Sequence, residues 1–337
     1  MFRHHFHLCC LLLCLLTSGQ SFAQQSSYNY FYRNNWQLVN PAAIDRSHYL
    51  TKNHPTTVLN AGSRLQWIGL EGAPLLYFIS AEYCPEPPMY NRPNYKLGVT
   101  AYGDRTDAIS TYAFYGNYSY FFLLPWAKGH TLHLGGSVGY VQYGVAMNRI
   151  NGPDKLNDAV LLSNEKRSFA DFAIGAMYRI RKQFYMGISS PQTFGVNLTR
   201  DSIHSQKVGL RQVNLTGGWF INRGERTYTT SSDDLFDFMF EPSIIVRYAP
   251  GVSYNSLAFL NNSPFSIDVN LRVHYQNKFW YGGGVSTNGS MTLEGGISRD
   301  MGNDTRMQLG GGYSIPVFQR YGGLGHSVEV NMGYYFN

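Results

Sequence analysis

The sequence predicts an all-β chain that closes into a transmembrane antiparallel β-barrel of about 14 strands, preceded by a signal peptide and an irregular N-terminal segment. Three observations predict it. Short segments in which apolar and polar residues alternate recur from residue 57 to the end, the period of a strand with two unlike faces. No apolar run after the N-terminus is long enough for a spanning helix, and the mean hydropathy of -0.25 is too polar for a helical bundle. The composition holds 26 Tyr, 21 Phe and 35 Gly against 14% charged residues. Such a mixture suits aromatic girdles at a membrane interface and a curved, closed sheet.

The N-terminus carries Arg3 and three histidines, an apolar run from Leu8 to Leu16, and Ser21-Phe22-Ala23 before Gln24. This is the pattern of a secretory signal peptide, residues 1–23, cut after Ala23. A lipoprotein signal centred on Cys14 is disfavoured because Leu13 stands where a small residue is wanted. Cys9, Cys10 and Cys14 leave with the signal, so the mature chain keeps Cys84 and can form neither an internal disulfide nor a cysteine-based metal site. The formal charge of +6 is spread along the chain, which argues against a nucleic-acid partner and leaves the outer-membrane lipid as the expected surroundings.

The mature chain divides into an irregular segment, 24–56, suited to plugging a barrel or docking at its periplasmic mouth, and a barrel, 57–337. At their junction, Leu59, Ala61, Leu65 and Trp67 alternate with Asn60, Gly62, Arg64 and Gln66. Ile68 to Pro74 then supplies two glycines and a proline, the residues that turn a chain and stop a ladder. Two readings of this stretch stand side by side. In one, Arg64 and Gln66 point into the lumen and hydrogen-bond the N-terminal segment near Asn40-Pro41; in the other, Gly69, Gly72 and Pro74 shape a turn and Trp67 joins an aromatic girdle.

The alternating segments are 57–67, 74–83, 95–104, 108–122, 131–143, 169–179, 184–190, 211–221, 239–248, 265–275, 278–287, 290–299, 306–315 and 327–336. In the fifth, Leu132, Leu134, Val138 and Tyr140 oppose His133, Gly135, Ser137 and Gly139. In the tenth, Ile267, Val269, Leu271, Val273 and Tyr275 alternate with Ser266, Asp268, Asn270, Arg272 and His274. The last places Val328, Val330, Met332, Tyr334 and Phe336 on one face. A soluble sandwich would bury these apolar faces and a membrane barrel would set them against lipid; the export signal and the aromatic load favour lipid. Four long connections, 146–168, 191–210, 222–237 and 250–264, are candidate extracellular surfaces.

Chemistry in this pattern is sparse. His133, His274, His326, Asp171, Asp268 and Glu294 lie in or beside strands without the spacing of a nucleophile and its base, and a polar lumen accounts for them. Asp268 and Arg272, four apart on one face, suggest a lumen salt bridge. Tyr102, Tyr112, Phe114, Tyr118 and Tyr120 are candidates to fill the lumen, which argues against an open pore. No catalytic residue, metal or cofactor is expected.

Asn40-Pro41-Ala42, the element Arg64-x-Gln66-Trp67-x-Gly69-x-Glu71-Gly72-Ala73-Pro74, Phe184-Tyr185-Met186-Gly187-Ile188-Ser189, Glu241-Pro242-Ser243 and Ser266-Ile267-Asp268-Val269-Asn270 together resemble the PorP/SprF family. Those are outer-membrane proteins of the type IX secretion system of Bacteroidetes, which also serves gliding motility. The resemblance implies a non-enzymatic barrel, exported by the Sec pathway to the outer membrane, that binds a secreted adhesin-like cargo or secretion-machine subunits. The partner- or plug-binding candidates are Asn40, Pro41, Arg64, Gln66, Trp67, Gly69, Glu71, Gly72 and Pro74. The alternative function is an outer-membrane channel for a small or hydrophobic solute.

Overall fold

The computed structural model describes residues 33–50, 55–85, 94–146, 166–198, 212–223, 238–249, 264–287, 289–302, 304–317 and 325–336. The expected signal peptide and most of the four long connections lie outside the described residues. The strands are β1 (Thr57–Leu65), β2 (Leu75–Tyr83), β3 (Tyr95–Thr106), β4 (Ile109–Leu123), β5 (His130–Val145), β6 (Lys166–Ile180), β7 (Phe184–Asn197), β8 (Val213–Trp219), β9 (Ile221–Arg223), β10 (Phe238–Tyr248), β11 (Phe265–Tyr275), β12 (Phe279–Ser286), β13 (Ser290–Gly302), β14 (Thr305–Pro316) and β15 (Ser327–Phe336).

Neighbours in sequence pair antiparallel around the ring, and β1 closes it on β15, with Thr57 opposite Phe336 and Leu65 opposite Val328. β8 and β9 both lie against β10. They are halves of one stave interrupted at Phe220, so the wall has fourteen staves. Among the described residues no stave of the ring lacks a neighbour on either side, the condition a spanning sheet must satisfy. β7 runs on to Asn197, past Pro191, where the sequence pattern stops. The register with β6 shifts between Phe172 and Ile174, opposite this stretch, and a bulge is where a strand can carry a proline.

The two faces separate by chemistry as the alternation requires. Leu59, Leu65, Tyr77, Ile79, Leu134, Val138, Val269, Leu271, Val330 and Met332 are exposed on the outside of the wall, while Asn60, Arg64, Glu82, Lys96, Ser119, His133, Asp171, Arg272 and His274 are buried inside. β4 corrects one expectation. Tyr112, Phe114, Tyr118 and Tyr120 point outward and are exposed, and the inward residues are Ala113, Tyr115, Asn117, Ser119 and Phe121. β4 is aromatic on both faces, so its phase follows only from the strands beside it; of the five bulky candidates, Tyr102 alone is buried.

One end of the barrel gathers the start of β1, the end of β15, the turns at 124–129, 181–183 and 276–278, and the end of β13 beside the start of β14. The opposite end carries the corner after β1 and the connections after β5, β7 and β10. The connection between β9 and β10 leaves from the terminal end, so 222–237 is not grouped with the other three long connections as expected. Strand parity decides this: β9 runs toward the end where β15 finishes.

Candidate functional site in the barrel lumen

Residues 33–50 lie within the ring as a short 3-10 turn at Trp36–Leu38 and a one-turn helix α1 (Ser47–Leu50), joined by irregular chain. Nearly all of them are buried. Buried irregular backbone must find partners for its peptide groups, and the inner wall supplies them in two rows of residues that face one another from strand to strand.

The first row runs Lys96, Ser119, Gly135, Gly175, Ser189, Asn214 and Arg247, each opposite the next on β3, β4, β5, β6, β7, β8 and β10. Val39 to Ala43 lies along it. Ser189 Oγ donates to the Val39 carbonyl at 2.7 Å, and Asn40 Nδ2 donates to the Ala176 carbonyl at 3.1 Å. Lys96 Nζ donates to the Pro41 carbonyl at 3.0 Å and to the Ala43 carbonyl. The two glycines form a trench: a Cβ on Gly135 would stand 2.6 Å from the Ala42 backbone, and one on Gly175 would stand 2.1 Å from Asn40 Oδ1. Each residue of Asn-Pro-Ala has a local reason. Asn40 Oδ1 accepts the Ala42 N–H at 2.9 Å, Pro41 brings no N–H to satisfy, and Ala42 is small enough for the approach to Gly135.

The second row runs Arg64, Glu329, Gly312, Glu294, Gly282, Arg272 and Glu241 across β1, β15, β14, β13, β12, β11 and β10. It carries two arginines and three glutamates, with a glycine on either side of Glu294. Arg272 makes a two-pronged pair with Glu294 at 3.1 and 2.6 Å and stacks 4.1 Å above the Trp280 ring. That ring lies over Gly296 and Gly310, where a Cβ would approach it to 2.5 and 2.3 Å. The segment docks on the row through Arg33 on Glu294 at 2.5 Å, Asn34 Nδ2 on Glu329 at 2.9 Å, Asn34 Oδ1, which accepts from Arg272 at 3.3 Å, and Arg46 on Glu241 at 3.4 Å. His274 faces the same Glu241 carboxylate at 2.9 Å.

Glu82 is the hub between the rows. It accepts from Gln37 Nε2 and from the Asp45 N–H, each at 2.9 Å. Lys96 Nζ and His48 Nε2 stand 3.9 and 3.5 Å away. Asp45 in turn accepts from Asn60 Nδ2 at 2.9 Å; burial, then the neighbouring Glu82 carboxylate, push its carboxyl above the usual range. Below this, Trp36 packs on Tyr185 with centroids 4.5 Å apart, Tyr49 stacks on Phe220 at 4.7 Å, and the Arg179 guanidinium lies 4.3 Å over Tyr49. Burial pushes the Tyr49 phenol up to about 12, so it stays neutral under that cation.

The expected site residues fall in two places. Asn40 and Pro41 lie in the glycine trench. Arg64 and Gln66 are buried at the opposite wall, where Arg64 donates to Glu329 and to Ser314 Oγ, both at 3.3 Å. The connection from Arg64 to the segment therefore runs through Glu329 to Asn34, while Asn40 is held across the lumen by β6 and β7. Trp67 (φ 52°), Gly69 (φ 95°) and Gly72 (φ 74°) take left-handed backbone in the corner, with Gln66 N–H donating to the Pro74 carbonyl at 2.9 Å. The corner is braced from both sides, by Asp107 N–H to the Gly72 carbonyl at 3.0 Å and Ile68 N–H to the His326 carbonyl at 2.8 Å. Glu71 is exposed.

Asp268 and Arg272 pair elsewhere than expected. Asp268 meets Arg247 at 2.7 Å and Arg272 meets Glu294. Four residues of strand span about 13 Å, too far for a side-chain pair, whereas the next strand is about 5 Å away. Sequence reasoning also missed Glu82, Lys96, Glu329 and the glycine sockets. Their signal was a glycine or a charge at the inward phase of a strand, where a second backbone or a counter-charge must sit.

A sequence model of the family described as "Type IX secretion system membrane protein PorP/SprF" matches residues 20–334. A comparison with curated proteins finds no match. Among solved structures, the CymD monoaromatic hydrocarbon channel is 12% identical, with a TM-score of 0.48 over 89% of this chain and 92% of its own. The Pseudomonas putida toluene transporter TodX is 10% identical, with a TM-score of 0.46 over 94% and 99%. The porin NanC is 9% identical, with a TM-score of 0.38 over 83% and 99%.

Proposed function

Because this chain belongs to the PorP/SprF family of type IX secretion system membrane proteins, we propose that its outer-membrane barrel is a non-enzymatic docking component. In this reading it binds a secreted, adhesin-like cargo or subunits of the secretion machine and does not pass a solute. One observation supports it above the others: the polar and charged groups of the inner wall are engaged with the chain's own residues 33–50 through Glu82, Lys96, Glu241, Glu294 and Glu329. A solute channel would need those groups facing an open path. The surfaces left for a partner are the two rims, including the braced corner from Gln66 to Pro74.

The test is affinity purification of the tagged protein from detergent-solubilised outer membranes of its host, with mass spectrometry of what stays bound, beside planar-bilayer recording of the same preparation. Recovery of type IX components or one large exported protein, with a silent bilayer, is the expected result. A barrel that purifies alone and conducts would reverse the reading in favour of a solute channel.

A further inference from the structure

The terminal rim of the barrel carries a basic and aromatic patch that the lumenal contacts do not use. The turn after β4 reads Leu124-Pro125-Trp126-Ala127-Lys128-Gly129 and the turn after β6 reads Arg181-Lys182-Gln183. The two are tied together. Arg181, at φ 49°, donates its N–H to the Gly129 carbonyl at 2.7 Å, and its side chain crosses Gly129 so closely that a Cβ there would stand 2.8 Å from Cγ. The Phe220 N–H donates to the Gln183 carbonyl at 2.6 Å, which brings Trp219 alongside; its ring meets Phe184 edge-on at 5.9 Å.

Neither turn contains an acidic residue; Lys128 and Arg181 are exposed, while Lys182 is half-buried, and burial, then the neighbouring Arg179 guanidinium, lower its ammonium to about 8. By contrast, the hairpin of β13 and β14 on the same end mixes Arg299, Asp300, Asp304 and Arg306. Trp126 is 79% exposed, the highest of the large hydrophobic residues among the described residues. Trp126 lies beyond the end of β4, whose outward Tyr120 and Phe122 are exposed, and Phe184 and Trp219 sit at the same end on β7 and β8; aromatic rings at the end of a barrel wall mark the level of a membrane's headgroups. In an outer-membrane barrel, the end that gathers the chain termini and the short turns faces the periplasm.

We propose that Lys128, Arg181 and Lys182, with Trp126 as an interfacial anchor, form a binding site for the phosphate headgroup of an anionic phospholipid in the periplasmic leaflet. Cations within a Debye length of an anionic headgroup each add attraction. Here three are held by two linked turns whose geometry the Arg181–Gly129 contact sets before a lipid arrives. An acidic protein would find the same charges, but the ring of outward aromatics that continues into the patch is the neighbourhood of a lipid.

The test is native mass spectrometry of the full chain released from mixed micelles of phosphatidylethanolamine and phosphatidylglycerol. Wild type is expected to retain phosphatidylglycerol preferentially. The triple variant Lys128→Gln, Arg181→Gln, Lys182→Gln should lose at least about tenfold of that preference, three cations together being good for on the order of a hundredfold at full engagement. Trp126→Ala should weaken retention of both lipids. A gel assay of heat-modifiable mobility checks that each variant is folded, and Lys278→Gln, on the turn after β11, is the matched charge control and should retain the preference. Equal retention of the two lipids by wild type, or an undiminished preference in the folded triple variant, overturns the proposal. It also falls if the triple variant keeps its lipid but loses a co-purifying periplasmic protein, since the patch would then be a protein dock. The lipid outcomes are read without any cargo present, so they stand or fall separately from the docking role.

Discussion

Lys96 and Glu82, both fully buried on neighbouring strands, stand 3.9 Å apart with the chain's own residues 37–45 laid over them. Removing one partner of a buried pair leaves the other charge uncompensated, at a cost of about 3–5 kcal/mol. Lys96→Met is therefore expected to loosen residues 33–50, because it also withdraws the donor to the Pro41 and Ala43 carbonyls. Limited proteolysis from the periplasmic side should cut the N-terminal segment of the variant sooner than that of wild type, and bilayer recordings should show openings. Glu82→Gln added to Lys96→Met should recover part of the loss.

The glycine trench is tested by adding single carbons. Gly135→Ala sets a methyl group 2.6 Å from the Ala42 backbone, which has no side-chain rotamer to yield; overpacking of this kind costs about 1–3 kcal/mol. Gly116→Ala, where nothing stands within 4 Å of the new atom, is the control and should change neither protease sensitivity nor the unfolding midpoint in urea.

Arg33 and Arg272 share Glu294 but belong to different parts of the molecule, one to the lumenal segment and one to the wall. Arg33→Met should free the segment while leaving the heat-modifiable mobility of the barrel as it is. Arg272→Met, which also removes the cation over Trp280, should lower the temperature at which that mobility is lost.

Cys84 gives a chemical reading of the intact barrel. Burial, then the nearby Glu82 carboxylate, push its thiol up to about 12 from 9.0. The reactive species is the thiolate, so at pH 8 a shift of this size lowers its population about a thousandfold. Maleimide labelling of the folded protein should be very slow at pH 8 and become fast only on unfolding in hot detergent. Rapid labelling of the native barrel would mean that the end of β2 opens.

Much of the wall was legible in the sequence because one face had to be apolar and the other did not. The run from Ser266 to Tyr275 sorts itself residue by residue, and the closing strand sets Val328, Val330, Met332, Tyr334 and Phe336 on one face without help from any neighbour. β4 did not sort itself, because Tyr112, Phe114, Tyr118 and Tyr120 on one face meet Tyr115 and Phe121 on the other, and aromatic rings are at home in both. Asn40-Pro41 and Arg64-x-Gln66 stood out as motifs, but their partners did not. Ser189, Gly175, Gly135 and Lys96 reach Val39–Ala43 through strand register, and Arg64 reaches Asn34 through Glu329. Register is set by pairing between distant segments, which local periodicity does not encode.

The lumenal segment is joined to β1 by residues 51–56 alone. A tether of that length turns occupancy of the trench into an intramolecular equilibrium, in which the local concentration of Asn40-Pro41-Ala42 at Gly135 is on the order of millimolar. A free peptide with the same contacts would have to exceed that concentration to displace it. A competing chain is therefore effective only when it is itself held at the barrel by another attachment. The connectivity of the chain, and not only the contacts in the groove, thus keeps the trench filled by its own segment.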